Sequence, residues 1–212
     1  EPHYAALLGS ERVFVRDEIY GYGPPVAAAL AEVLDLAATL RGDVLDFGCG
    51  AGFLVNYMRG KNIAAQGIEI DRPAVREHLM PGAAPYVRLY DGSLPLPFDD
   101  ESFDGVISTE VLEHIPNYAD IVPELARVTR DTLILTVPDA EAIPRLFHAN
   151  VVPWHLLEST HFNFFTEHSL RALLAPHFAT VRMLKIGMNR TNGIPWCTSL
   201  VAVCSKEPTV AR

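Results

Sequence analysis

The chain has 212 residues, which is enough for one substantial hydrophobic core. Apolar residues make up 49% and charged residues 20%, a balance that excludes a disordered chain. The formal net charge of −9, from 17 Lys and Arg against 26 Asp and Glu, disfavours nucleic acid as a partner because phosphate binding needs clustered cations. A neutral or cationic small molecule fits this charge better.

The cysteines and the hydropathy of the chain indicate the cellular location to expect. Cys49, Cys197 and Cys204 form no C-x-x-C pair, so the sequence predicts neither a disulfide framework nor a zinc knuckle. No apolar run approaches the ~20 residues that span a bilayer. We therefore expect a cytoplasmic protein without a membrane partner; a homodimer remains open.

The chain begins with an expected aromatic arm and a helix. Residues 1–23 contain several tyrosines, among them Tyr22, and are interpreted as an irregular arm. From Pro24 to Leu40, polar residues recur at Glu32, Asp35 and Thr39, which predicts a buried helix with one narrow polar stripe. Residues 1–40 are thus an arm and a helix.

A glycine-rich turn then follows a short strand. Residues 43–47 form the predicted first strand, and a helix is predicted from Ala51 to Arg59. Between them, Gly48, Gly50 and Gly52 remove the side chains that would keep a ligand from the backbone, and the helix N-terminus offers unpaired N–H groups. The third glycine comes one residue earlier than in the G-x-G-x-x-G turn of dinucleotide-binding proteins, which disfavours a pyrophosphate ligand.

A second strand is predicted from Ile63 to Glu69. It ends in an acid about twenty residues beyond the glycine turn, where a carboxylate in a doubly wound sheet can accept hydrogen bonds from ribose hydroxyls. Glu69 is the candidate for that contact. Asp71 is the expected cap of the next helix, Arg72 to Met80.

The third predicted strand, Ala84 to Tyr90, leads into the most distinctive stretch of the chain. Asp91, Gly92 and Ser93 follow the strand, and a Leu-Pro-x-Pro-Phe segment and a Ser-Phe-Asp segment follow them over residues 94–104. A carboxylate beside a backbone N–H matches the donor and acceptor edge of adenine.

These motifs and the glycine turn resemble those of the class I S-adenosylmethionine-dependent methyltransferases that act on small molecules. The resemblance implies an α/β fold with a doubly wound, mostly parallel seven-stranded sheet, which ends in an antiparallel hairpin. It also implies that S-adenosylmethionine is the cofactor, with its methionine end at the turn, its ribose at Glu69, and its adenine at Asp91 and Gly92. The residues expected to contact the cofactor are Asp46, Gly48, Cys49, Gly50, Gly52, Glu69, Ile70, Asp91, Gly92, Ser93, Thr109 and, from the arm, Tyr22.

The fourth predicted strand, Val106 to Ser108, leads into the run Ser108 to Ile115. In the family that this chain resembles, the run lines the transferring methyl group. It lacks the Asn or Asp followed by Pro-Pro and an aromatic residue of nucleic-acid amino methyltransferases, so methylation of a base is disfavoured. A helix capped by Asn117 or Asp120 and ending at Val128, and a fifth strand over residues 132–137, complete the predicted core, 41–137.

Residues 138–165 show no regular pattern and are rich in aromatic and histidine residues. We interpret them as a lid or substrate wall; the alternative is a helical excursion whose aromatics fill the core. Thr166 then caps a predicted helix that ends at Pro176, and residues 179–188 and 199–205 are the expected strands of the hairpin. Residues 166–212 complete what we expect to be one methyltransferase domain, 1–212.

The most favoured reaction is transfer of the methyl group to a hydroxyl of a sugar or secondary metabolite. A hydroxyl needs a base at neutral pH, and His114, which follows the fourth strand, is the first candidate. His161 is the second. The histidines could instead bind a divalent ion that acidifies a hydroxyl, but the spacing of His148, His155 and His161 matches no helical metal pair, so a metal is the less favoured alternative and no metal ligands are assigned. The alternatives are an N- or C-methyltransferase, an NAD-dependent dehydrogenase and a non-catalytic binder of the cofactor.

Overall fold

The fold is built around one seven-stranded sheet, seen in a computed structural model that describes residues 9, 11–13, 28–152 and 154–208. The strand order is β3-β2-β1-β4-β5-β7-β6, and only β7 is antiparallel to its neighbours. This confirms the predicted α/β fold class. The strands are β1 Asp43–Phe47, β2 Ala64–Ile70, β3 Val87–Tyr90, β4 Phe103–Thr109, β5 Thr129–Pro138, β6 Thr180–Thr191 and β7 Ile194–Ser205.

Helices cover both faces of the sheet. They are α1 Ala31–Ala37, α2 Phe53–Gly60, α3 Pro73–His78, α4 Tyr118–Val128, α5 Ala142–His148 and α6 Glu167–Leu174. Leu45 and Phe47 of β1 share one hydrophobic cluster with α4 and α6, whereas Val44 shares the other with α1 and α2. Because side chains alternate across a strand, β1 contributes to the cores on both faces.

The N-terminal helix is shorter than predicted. The prediction ran from Pro24 to Leu40, but α1 begins at Ala31, because Leu30 has an extended backbone with ψ 147°. Val33 and Ala37 are its buried residues, so the helix has a narrow apolar stripe rather than a narrow polar one. Residues 14–27, which include Tyr22 and the end of the predicted arm, lie outside the described residues.

Two predicted caps are wrong in detail. Asp71 does not cap α3; it forms an ion pair with Arg76 of that helix, and the cap position is Arg72. Asn117 occupies the cap position of α4 but makes no side-chain capping bond. Thr166 does cap α6: its hydroxyl accepts the N–H of Ser169, and the Ser169 hydroxyl accepts the N–H of Thr166, which completes a capping box.

The terminal hairpin extends further than predicted on both strands. Its turn is Asn192-Gly193, with φ 47° and 82°, the left-handed conformation of a two-residue hairpin turn. The Asn-Gly pair is the sequence signal for this turn, and it places Ile194 and Pro195 in β7 rather than in a loop.

The segment 138–165 contains more regular structure than expected. Helix α5 spans Ala142–His148, and a short 3-10 helix spans Trp154–Leu156. Leu146 is buried, whereas Phe147, Phe162 and Phe164 are about half exposed, so the aromatics do not mainly fill the core. Among the described residues, no helix has the length and the hydropathy that crossing a bilayer requires.

Candidate active site

The glycine turn between β1 and α2 is held in a conformation that favours glycine. Gly48, Gly50 and Gly52 have φ values of 74°, 53° and 80°. A Cβ atom on Gly48 would lie 2.5 Å from Cγ2 of Val111, and one on Gly52 would lie 2.5 Å from Cβ of Ala83. The backbone of the turn therefore packs closely against two other segments, and this packing explains why residue 52 is a glycine.

Glu69 ties the glycine turn to the end of β2. Its Oε2 accepts the N–H of Gly50 and its Oε1 accepts the N–H of Ile70, both at 2.8 Å. Arg72 lies 3.5 Å from Oε1. Both carboxylate oxygens keep further lone pairs, so Glu69 can orient the turn and still accept from a ligand.

Asp46, at the end of β1, is 2% exposed. Its burial, together with the negative charge of Glu69, raises its pKa from 3.8 to about 8. Two acids thus meet below the turn at the tips of neighbouring strands. A cationic ligand at this point would favour the ionised form of Asp46.

A cavity of about 990 Å³ opens beside these groups. It connects the strand tips with the segment after β4 and with the loop after α5. Seven of the expected cofactor residues line it: Asp46, Gly48, Cys49, Gly50, Glu69, Ile70 and Thr109. His114 and His161 line it as well. The structure therefore brings the glycine turn and both candidate bases to one cavity.

Four expected cofactor residues do not line this cavity, and Tyr22 lies outside the described residues. Gly52 is at the start of α2, and Asp91, Gly92 and Ser93 follow β3. The Oδ1 atom of Asp91 accepts the N–H and hydroxyl of Ser93, which lowers the pKa of Asp91. A Cβ on Gly92 would lie 3.6 Å from Cδ1 of Ile70, so this turn adjoins the cavity wall at Ile70.

The segment after β4 carries two acids that sequence reasoning did not single out. Glu110 has φ 53°, a conformation that non-glycine residues rarely adopt, and its Oε1 accepts the hydroxyl of Thr136 at 2.8 Å. Burial raises its pKa to about 7. Glu113 is 1% exposed, and among the described residues neither of its carboxylate oxygens has a hydrogen-bond partner. The signal in the sequence was two acids, three residues apart, in the run that follows the fourth strand.

Glu113, His114 and His161 form a compact group. Each offers one ligating atom, and these three atoms lie within 4.8 Å of one another. The imidazole rings of His114 and His161 are 4.7 Å apart, and Nε2 of His114 lies 3.8 Å from Oε1 of Glu113. Nδ1 of His114 contacts the carbonyl and the hydroxyl of Thr160 at 3.1 and 3.0 Å.

The environment of both imidazoles keeps them neutral near pH 7. Burial lowers the pKa of His114, and burial together with His114 lowers the pKa of His161 to about 4. His155, whose ring lies 6.3 Å from that of His161, also has its pKa lowered to about 4 by burial. A neutral imidazole can accept a proton or bind a metal.

The chain matches known methyltransferases by sequence and by structure. Residues 22–177 match the model of a family described as a methyltransferase domain. Methyltransferase GfsG of Streptomyces halstedii is 30% identical over 148 residues, 60% of this chain and 52% of that protein. A ubiquinone biosynthesis O-methyltransferase of Paracidovorax citrulli is 31% identical over 103 residues, 46% of this chain and 43% of that protein. The chain thus spans about half the length of these relatives.

A solved structure shares the fold. The PH0226 protein of Pyrococcus horikoshii superposes with a TM-score of 0.60 at 23% identity, over 83% of this chain and 87% of that one. This agrees with the strand order of the sheet, and the family match covers the glycine turn, the strand tips and the segment after β4. The chain belongs to the class I S-adenosylmethionine-dependent methyltransferases.

Proposed function

We propose that the protein transfers the methyl group of S-adenosylmethionine to a hydroxyl oxygen of a small molecule, with a sugar or a secondary metabolite as the acceptor. The observation that carries this proposal is that the imidazoles of His114 and His161 lie close together in the cavity that the glycine turn lines. Both imidazoles have lowered pKa values. A hydroxyl, unlike an amine, has to lose a proton to attack near neutral pH, and this is what such groups assist.

The chain offers the groups that the cofactor needs. S-adenosylmethionine supplies a sulfonium-bound methyl group, so the protein does not have to activate the carbon that is attacked. Asp46 would face the cationic end, and Glu69 would accept from the ribose while it holds Gly50. Asp91 and Gly92 adjoin the cavity wall at Ile70, where the adenine would extend. The chain then has to position the acceptor and exclude water, which can supply most of the rate.

The acceptor would enter beside the loop after α5. Glu158, Thr160, His161 and Phe162 of this loop line the same cavity as the glycine turn. The N–H groups of Phe162 and Asn163 donate to the carbonyl of Glu113 at 2.8 and 3.2 Å, so the loop is fixed to the segment after β4. This supports the interpretation of residues 138–165 as a substrate wall.

The test is transfer of a ¹³C-labelled methyl group to a panel of sugars, phenols and hydroxylated secondary metabolites, with matched amines as competitors. We expect the label on an oxygen, identified by NMR of the product. His114→Ala and His161→Ala should lower kcat and leave the Kd for S-adenosylhomocysteine unchanged. His148→Ala is the matched control because His148 is exposed on α5, outside the cavity lining.

Two results would contradict the proposal. Label found only on nitrogen or carbon would assign a different acceptor class. Tight binding of S-adenosylhomocysteine without turnover on any acceptor of the panel would favour a non-catalytic binder.

A further inference from the structure

The general-base mechanism gives no role to the carboxylate of Glu113. It is 1% exposed, and its two oxygens lack hydrogen-bond partners among the described residues, although it faces the cavity. A buried carboxylate without partners is costly, since desolvation of the charge is not offset. Binding of a cation or of a proton would offset the cost of burying this carboxylate.

The surroundings of Glu113 favour a cation. Both imidazoles of the neighbouring His114 and His161 offer lone pairs, and the three ligating atoms lie within 4.8 Å of one another. A metal with bond lengths of about 2.0–2.2 Å holds its ligand atoms about 3–4 Å apart, so small side-chain rotations close the group around an ion. Glu110, a second acid that lines the same cavity, adds a further group of the sign that attracts a cation.

The hydrogen bonds of His114 are also those of a metal ligand. Nδ1 contacts the carbonyl of Thr160, which can only accept, and so Nδ1 carries the proton. The Thr160 hydroxyl in turn donates to Oε1 of Glu158 at 3.0 Å. Nε2, which lies on the side of Glu113, is then the atom with the lone pair. Ligating histidines typically donate their other N–H to a carbonyl, which fixes the ring and its tautomer.

We propose that Glu113, His114 and His161 bind a divalent first-row transition metal at the acceptor end of the cavity. Two imidazoles and one carboxylate suit Mn²⁺, Fe²⁺, Co²⁺ or Zn²⁺ and leave positions open for other ligands. The spacing of His148, His155 and His161 does not indicate this site, because two of its members follow β4 and only His161 comes from the later loop.

The role of this metal in catalysis rests on the proposed function. An acceptor hydroxyl bound at an open position has a lowered pKa and releases its proton to water. The resulting oxygen then forms the bond to the methyl carbon as the S–C bond breaks, with the bonding electrons left on sulfur. In this arrangement the two imidazoles hold the cation instead of accepting the proton, and Glu113 acquires a function.

The binding test needs no acceptor. The untagged protein is stripped with a chelator and titrated with Mn²⁺ by calorimetry and with Co²⁺ by visible absorption. We expect one ion per chain and a rise in Tm with the metal, because a ligand that binds only the native state stabilises it. Glu113→Gln and His161→Ala should each weaken binding at least tenfold, because even loss of an outer partner of a metal ligand typically costs about 10- to 100-fold.

The controls separate a lost ligand from a lost fold. Glu113→Gln keeps the size of the side chain and removes a buried charge, so this variant should fold at least as stably without metal. His148→Ala should bind metal as the wild type does, and all variants should bind S-adenosylhomocysteine equally. Thr160→Val removes the hydroxyl contact of Nδ1 and keeps the carbonyl contact, so it should weaken metal binding less than Glu113→Gln or His161→Ala.

The outcomes are distinguishable from those of the proposed function. No binding of Mn²⁺ or Co²⁺, or equal binding in Glu113→Gln and His161→Ala, overturns the metal site, whereas methylation of a hydroxyl in the presence of chelator would leave the proposed function standing. Metal bound by the three residues, with methyl transfer only to nitrogen or carbon, supports the site and overturns the proposed function.

Discussion

Replacing Glu69 is the most informative test of the cofactor end of the cavity. The carboxylate accepts two backbone N–H groups at 2.8 Å and, in the proposed complex, the ribose hydroxyls. A net hydrogen bond to a charged group contributes about 1.5–3 kcal/mol, so loss of the two backbone bonds in Glu69→Ala should lower the free energy of unfolding by about 3 kcal/mol.

The same substitution should weaken cofactor binding by about 1–3 kcal/mol, which corresponds to a roughly 5- to 150-fold higher Kd. Glu69→Gln should give intermediate values, because its amide nitrogen cannot accept one of the two N–H groups. Calorimetry with S-adenosylhomocysteine measures Kd, and urea unfolding measures stability.

Asp71→Ala is the matched control. Asp71 is an acid two residues further along the chain, pairs with Arg76 and lies outside the cavity lining. It should leave the Kd unchanged. An unchanged Kd in Glu69→Ala as well would refute the ribose contact, and an unchanged stability would refute the assignment of Glu69 as the acceptor that holds the turn.

Three further changes test the turn, the buried acid and a helix cap. Gly48→Ala places a Cβ 2.5 Å from Val111 at a φ of 74°, so we expect a loss of about 2–4 kcal/mol in urea unfolding, whereas Gly60→Ala, with no atom within 4 Å, should not destabilise. The pKa of Asp46 is raised from 3.8 to about 8, so its contribution to stability should fall as pH rises through that window, and binding of the cationic cofactor should release protons and tighten from pH 6 to 8. Asp46→Asn should abolish both trends in calorimetry; persistence of the proton release would exclude Asp46 as its source. Thr166→Ala should lower the free energy of unfolding by about 1 kcal/mol through loss of the cap, and an unchanged Tm would contradict this.

The core of the fold could be predicted from the sequence because its signals are local. The strand before Gly48, the acid at the end of β2 and the capping residue Thr166 lie next to the elements that they define. The Asn192-Gly193 pair is an equally local signal, and it indicates the longer hairpin that the structure shows. Helix α1 was overestimated, since Ala28, Ala29 and Leu30 fit a helical period without forming a helix.

The acceptor end of the cavity could not be predicted in the same way. His114 and Thr160 are 46 residues apart, and their contact depends on how the segment after β4 meets a loop without a periodic pattern. The burial of Glu113 is likewise a property of the packed loop, since an acid in a short 3-10 helix would ordinarily be exposed. Sequence periodicity indicates which face of an element is apolar, but it does not indicate which distant side chain will cover a given acid.

The hydrogen bonds between the loop and the segment after β4 allow opening of the acceptor end of the cavity to be measured separately from motion elsewhere in the fold. The side-chain amide of Asn163 donates to the carbonyls of Leu112 and Ile115 at 2.8 and 2.7 Å, and the backbone N–H of Phe162 donates to the backbone carbonyl of Glu113. Opening of the loop has to break these bonds together, so deuterium uptake at the amide of Phe162 would report each such opening. Binding of an ion or an acceptor between the two segments would slow that uptake, while exchange in the distant hairpin of β6 and β7 would serve as the internal standard.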